Sequence, residues 1–179
     1  MTAYRPAGLL AALAFLVGCE PGLTEEELAL SDSLRARLTE IEVSAQEAAS
    51  AAEEYGDGLL GALTRSRYEV ALTTALMLEQ RINQLQSGSP VTVATTVTDP
   101  DTARFRELEA EIQSQERELA KARQEAAQYQ GGLLAALAES KVATHELTLA
   151  FLRQASLIAK YGLSVPGYAV DSVLLENLP

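Results

Sequence analysis

The chain of 179 residues has one cysteine, Cys19, and one histidine, His145. A lone Cys19 cannot close an internal disulfide, and with a lone His145 it cannot build a Cys/His zinc cluster. His145-Glu146 lacks the second histidine of a His-Glu-x-x-His site. It also lacks the Glu-x-x-His spacing by which helical bundles hold paired metals. There is no P-loop, no Gly-x-Gly-x-x-Gly after a strand, and no Gly-x-Ser-x-Gly. Carboxylates are plentiful, 25 against 14 lysines and arginines. No nucleophile or paired base accompanies them, and they fall where solvated helix faces are expected. The sequence therefore predicts no catalytic residue, no metal and no cofactor. A net charge of -11 argues against nucleic acid, which is bound by displacing counterions with basic side chains. Aromatic residues make up 5% of the chain, too few for base stacking.

The residue with the clearest chemistry is Cys19, because of what precedes it. Arg5 supplies one positive charge. An apolar run of twelve residues follows, Ala7 to Gly18. As a helix it spans about 18 Å, short of a bilayer core of about 30 Å. That length, with a small residue before Cys19, fits a cleavable secretory leader. The run ends Leu16-Val17-Gly18-Cys19, which resembles the lipobox of bacterial prolipoproteins. The resemblance covers only the leader. It implies that signal peptidase recognises Leu16, Val17 and Gly18 and cuts before Cys19. It also implies that the Cys19 thiol is diacylglycerylated and the new amino terminus acylated, by palmitate or a similar chain. Two or three acyl chains give a stable membrane anchor where one does not. Glu20 in place of Asp matches the enterobacterial sorting pattern that favours the outer over the inner membrane. The expected location is the bacterial cell envelope, lipid-anchored and facing the periplasm.

These residues must be presented by the rest of the chain, which reads as all-α. Residues 1–18 are the leader and 19–23 a lipidated tether. Residues 24–86 form a first helical arm, 87–100 a Val/Thr-rich linker, 101–161 a second arm and 162–179 a tail. Thr24 can cap the first arm, with Glu27 three residues on completing a capping box. Apolar positions then run Leu34, Leu38, Ile41, Ala45, Ala48, Ala52, Tyr55 and Leu59, a heptad seam. Asp99, Pro100 and Asp101 predict the start of the second arm. Its seam is Phe105, Leu108, Ile112, Gln115, Leu119, Ala122, Ala126, Tyr129 and Leu133. Gly162 and Pro166 end it. In the linker, Val91, Val93, Thr95 and Val97 alternate like a strand that must pair with something else to be stable. The tail has apolar residues that can fold back onto the helices.

The arms repeat one another at an offset of 74 residues. Tyr55-Gly56-Asp57-Gly58-Leu59-Leu60-Gly61-Ala62-Leu63 aligns with Tyr129-Gln130-Gly131-Gly132-Leu133-Leu134-Ala135-Ala136-Leu137. Heptad phase is kept through both blocks, as a stutter would keep it. This favours two long continuous arms, each about 90 Å, folded antiparallel at the linker. The alternative is a break at each Gly block, giving a four-helix bundle. In the continuous reading, Gly58 and Ala62 would face Gly132 and Ala136 in a close crossing, with Tyr55 and Tyr129 beside it.

Charge is uneven. Residues 25–54 hold nine acids and two bases. Nearest the anchor, this stretch would be repelled by anionic headgroups and favour a stalk. The halves after each Gly block carry apolar stripes too wide for one neighbour, which predicts contact with more than two helices, most simply a homo-oligomer. Together these features point to an envelope lipoprotein with a coiled-coil structural or protein-interaction role and an unidentified envelope partner. The rival readings are a helical module for a lipid or apolar ligand, and an adaptor or regulator that adds its linker strand to a partner sheet.

Overall fold

The computed structural model describes residues 23–87, 95–96, 99–163 and 165–166. Leu16, Val17, Gly18 and Cys19 lie outside the described residues, as do Val91, Val93, Val97 and the tail beyond Pro166. The described part is all-α apart from one pair of two-residue strands. Its elements are α1 (Glu25–Tyr55), α2 (Leu59–Ser87), β1 (Thr95–Thr96), α3 (Thr102–Ala126), α4 (Gly132–Tyr161) and β2 (Val165–Pro166).

Each helix boundary has a local cause. Thr24 accepts from the Glu27 amide while the Glu27 carboxylate accepts from the Thr24 amide, so the capping box forms. The second arm is capped by Asp101, which accepts from the Arg104 amide at 2.9 Å. The cap is thus two residues later than Asp99. Gly162 closes α4 in the left-handed region, at φ 61°.

The two arms are not continuous. Gly56 and Gly58 have φ of 60° and 133°, and Gly131 and Gly132 have 129° and 77°. Such angles are open to glycine and strained for other residues, so both Gly blocks are turns. Each arm is an antiparallel hairpin, α1 against α2 and α3 against α4. The preserved heptad phase misleads because each helix keeps its own seam whether or not the chain turns between them.

The hairpins join through α2 and α4. Arg67 meets Glu146 and Thr74 meets Gln154, so these two helices run in the same direction. The packing order is therefore α1–α2–α4–α3. One end of the bundle, the base, gathers the start of α1, the end of α2, the start of α3 and the end of α4. The two turns form the opposite end. The main core sits towards the base, where Leu34, Met77, Leu78, Ile82, Tyr161 and Leu163 are buried together. Ile112, Leu119 and Leu149 form a smaller core between α3 and α4. Within one chain α2 and α4 each pack against two neighbours, and Leu72, Leu76 and Leu134 of their wide stripes stay exposed.

The base is closed by the segments beyond the helices. β1 pairs antiparallel with β2, Thr95 opposite Pro166 and Thr96 opposite Val165. The strand expected in the linker finds its partner in the chain's own tail. Tyr161 and Ser33 share a hydrogen bond at 2.9 Å. The Lys160 ammonium lies 5.4 Å from the Phe105 ring centre and 5.1 Å from that of Tyr161. Burial pushes the Tyr161 hydroxyl up, but Ser33, Lys160 and Arg37 outweigh it and hold it below the ordinary tyrosine range.

Candidate functional site

Two places stand out: a groove on one face of the bundle, and the pair of turns at its far end. The groove, of about 1050 Å³, is lined by all four helices. Its floor is apolar, with Val70 and Ala71 from α2, Ile112 and Leu119 from α3 and Leu149 from α4. Ile41 and Val43 of α1 form one wall. The heptad seams put these residues on one side, because residues three and four apart share a helix face.

Across the groove runs a chain of four charges, one from each helix. Glu146 of α4 accepts from Arg67 of α2 at 2.6 Å and from Arg123 of α3 at 2.6 Å. Arg67 also pairs with Glu47 of α1 at 3.8 Å. Glu146 and Arg67 are the sheltered pair, with side chains 22% and 20% exposed, against 61% for Arg123 and 68% for Glu47. Sheltered charge-assisted bonds are stronger than surface ion pairs and demand a fixed geometry. The cluster is electrically neutral and sets how the two hairpins lie against each other.

Polar contacts nearby reinforce the register. The Gln154 amide donates to the Thr74 hydroxyl at 3.0 Å, and Thr74 is 1% exposed. Gln115, the polar member of the second seam, bonds His145 Nδ1 at 2.7 Å. Ser156 donates to Glu109 at 2.7 Å. The lone histidine is therefore a pairing residue between α3 and α4. Among the described residues no group of three or more His, Cys, Asp or Glu is placed to hold a metal. The α2–α4 contacts join residues 79, 80 and 84 apart. Strict repeat symmetry would centre on 74, so the hairpins are displaced along the bundle axis.

The residues chosen from the repeat lie elsewhere, at the turns. Gly58 and Gly132 are exposed, and a methyl group at either would meet no atom within 4 Å. Ala62 and Ala136 are exposed too. No close crossing forms from these four residues, because the chain turns where the crossing was expected. The close approach belongs instead to Gly61, which is buried. A Cβ there would lie 1.8 Å from the Gly56 carbonyl oxygen. Tyr55 and Tyr129 are 42% and 38% exposed. Burial, then the charges of Glu139, Glu54 and Glu146, pushes the Tyr55 hydroxyl above its ordinary range. Glu139 and Glu146 belong to α4, so the first turn lies close to the second hairpin.

Sequence reasoning missed the groove and its charge chain. Arg67, Glu146 and Arg123 stood among many charged residues, and nothing in their spacing marked them as partners. The one signal was that Arg67 aligns with Lys141 in the repeat, a basic residue kept at the same position of both arms.

Comparison of this chain with protein-family models, curated proteins and solved structures found no match.

Proposed function

We propose that the protein is a lipid-anchored component of the bacterial envelope whose four-helix domain serves protein interaction. The observation that carries this reading is Leu16-Val17-Gly18-Cys19 at the end of a twelve-residue apolar run. Only a few residues separate Cys19 from the capped start of α1 at Glu25. A bundle so tethered would stand with its base towards the lipid. No helix among the described residues is long and apolar enough to cross a membrane. The anchor in this reading is therefore the acylated Cys19. Labelling cells with an alkyne-tagged palmitate tests it. Label and membrane association are expected for the native chain and absent for Cys19→Ser. A membrane-bound, identically processed Cys19→Ser protein sinks the proposal.

The groove supports a second reading, a module that holds an apolar ligand. Its floor is apolar and its volume, about 1050 Å³, is of ligand size. The charge chain of Glu47, Arg67, Glu146 and Arg123 lies across it and favours a ligand with polar ends. Native mass spectrometry of the purified protein decides this. A lipid held non-covalently, beyond any acyl chains on Cys19, supports it, and a mass without such a lipid tells against it.

A further inference from the structure

We infer that the two turns form a docking surface for a basic, amphipathic segment of a partner protein. The inference rests on the interaction role proposed above, and it is independent of the lipid anchor. Its first support is where the repeat falls. The best-matched block of the two arms, Tyr-x-x-Gly-Leu-Leu-x-Ala-Leu, does not build the core. It builds both turns, and both lie at the end of the bundle away from the base.

The second support is apolar exposure. Leu59 is 64% exposed, Leu133 76%, Leu134 61% and Leu137 58%. The last three are spaced to share one side of the first turns of α4. Contiguous exposed leucines of this kind mark interaction surfaces.

The third support is charge, and it selects the partner. Glu53, Glu54 and Glu139 are exposed at the same end of the bundle as these leucines and form no ion pair among the described residues. Glu53 and Glu54 also lie in the last turn of α1, which contains no basic residue. The carboxyl end of a helix carries partial negative charge, so two carboxylates there oppose the dipole. A local rule broken without an internal compensation points to a group supplied from outside. Lysines or arginines beside apolar residues fit: the cations meet the carboxylates and the helix end, and the apolar side meets the leucines. An anionic membrane surface would be repelled by the same carboxylates. A helix presenting apolar anchors at i, i+3 and i+4 is the matching shape.

A fluorescently labelled 18-residue peptide of alternating leucine and lysine at helical spacing probes the surface. Binding is read by anisotropy against the full chain in neutral detergent. Leu133→Ser with Leu134→Ser and Leu137→Ser is expected to weaken binding tenfold or more. Glu53→Gln with Glu54→Gln is expected to weaken it by a similar factor. Glu25→Gln with Glu26→Gln removes the same charge at the base and is expected to leave binding unchanged. Circular dichroism confirms that these exposed substitutions keep the helices. Equal weakening by both glutamate pairs overturns the inference, since the peptide would be sensing net charge alone. Unchanged binding in the leucine variant overturns it too. So does flotation of the native chain, but not the leucine variant, with phosphatidylcholine vesicles, which would assign the leucines to lipid. A failed palmitate label would remove the anchor and leave this readout standing.

Discussion

Glu146 accepts from two guanidinium groups that belong to different hairpins, so one carboxylate holds the assembly's register. Glu146→Gln keeps the shape and removes the charge. It is expected to cost about 1.5–3 kcal/mol in urea unfolding, the worth of hydrogen bonds to a charged group. Arg123→Gln is expected to cost less than about 1 kcal/mol, because that side chain is 61% exposed and screened. Glu27 offers a pH test. Its carboxylate accepts from the Thr24 amide and hydroxyl, which holds it below the ordinary glutamate range. The folded value is the lower one, so this capping contribution is present at neutral pH. It is lost as pH falls through the folded value, below the titration of an unfolded glutamate. Carbon-detected NMR titration should find Glu27 titrating below the ordinary range of an unfolded glutamate, and Thr24→Ala should bring it back up. This cap was legible in the sequence because donor and acceptor are three residues apart. The Arg67–Glu146 pair was not, because its members are 79 residues apart and neither type names its partner.

The helices and their faces were readable from the seams: Leu34, Ala45, Ala48, Leu108, Ile112, Leu119 and Ala122 are all buried. The turns were harder, since a stutter and a turn leave the same spacing of apolar residues. What decides for the turn is a pair of glycines at positive φ in each block. Two glycines in a helix interior cost about 1 kcal/mol each, while turning lets each half bury its stripe on the other. The two turns also differ in length. The first has Gly56, Asp57 and Gly58 between helices, whereas the second runs from Ala127 to Gly131. The tighter turn brings the Gly56 carbonyl against Gly61, while the longer one leaves room for Ala135 at the matching position. Gly61→Ala is therefore expected to lower stability by about 1–3 kcal/mol despite better helix propensity. Ala135→Gly is expected to cost only about 1 kcal/mol. Thermal unfolding followed by circular dichroism compares the two.

At the scale of the whole molecule, folding each arm in half exchanges a long rod for a short bundle. The longest helix, α1, has 31 residues and spans about 46 Å. Small-angle scattering should therefore give a largest dimension well under the roughly 90 Å of an unbroken arm. The bundle is locked at its base by Leu163, which is fully buried beyond the end of α4. Leu163→Ala is expected to cost about 2–5 kcal/mol by cavity formation, read in the same urea experiment. That lock was not legible, because a single leucine after Gly162 resembles any other residue of a loose tail. The four helices among the described residues return the chain to the end at which α1 begins. Tension between that end and a partner held at the turns would then run along the helix axes. The seams of each hairpin would have to slide past one another as a whole rather than peel open one contact at a time. Resistance to such a pull is set by the rate of unfolding rather than by equilibrium stability.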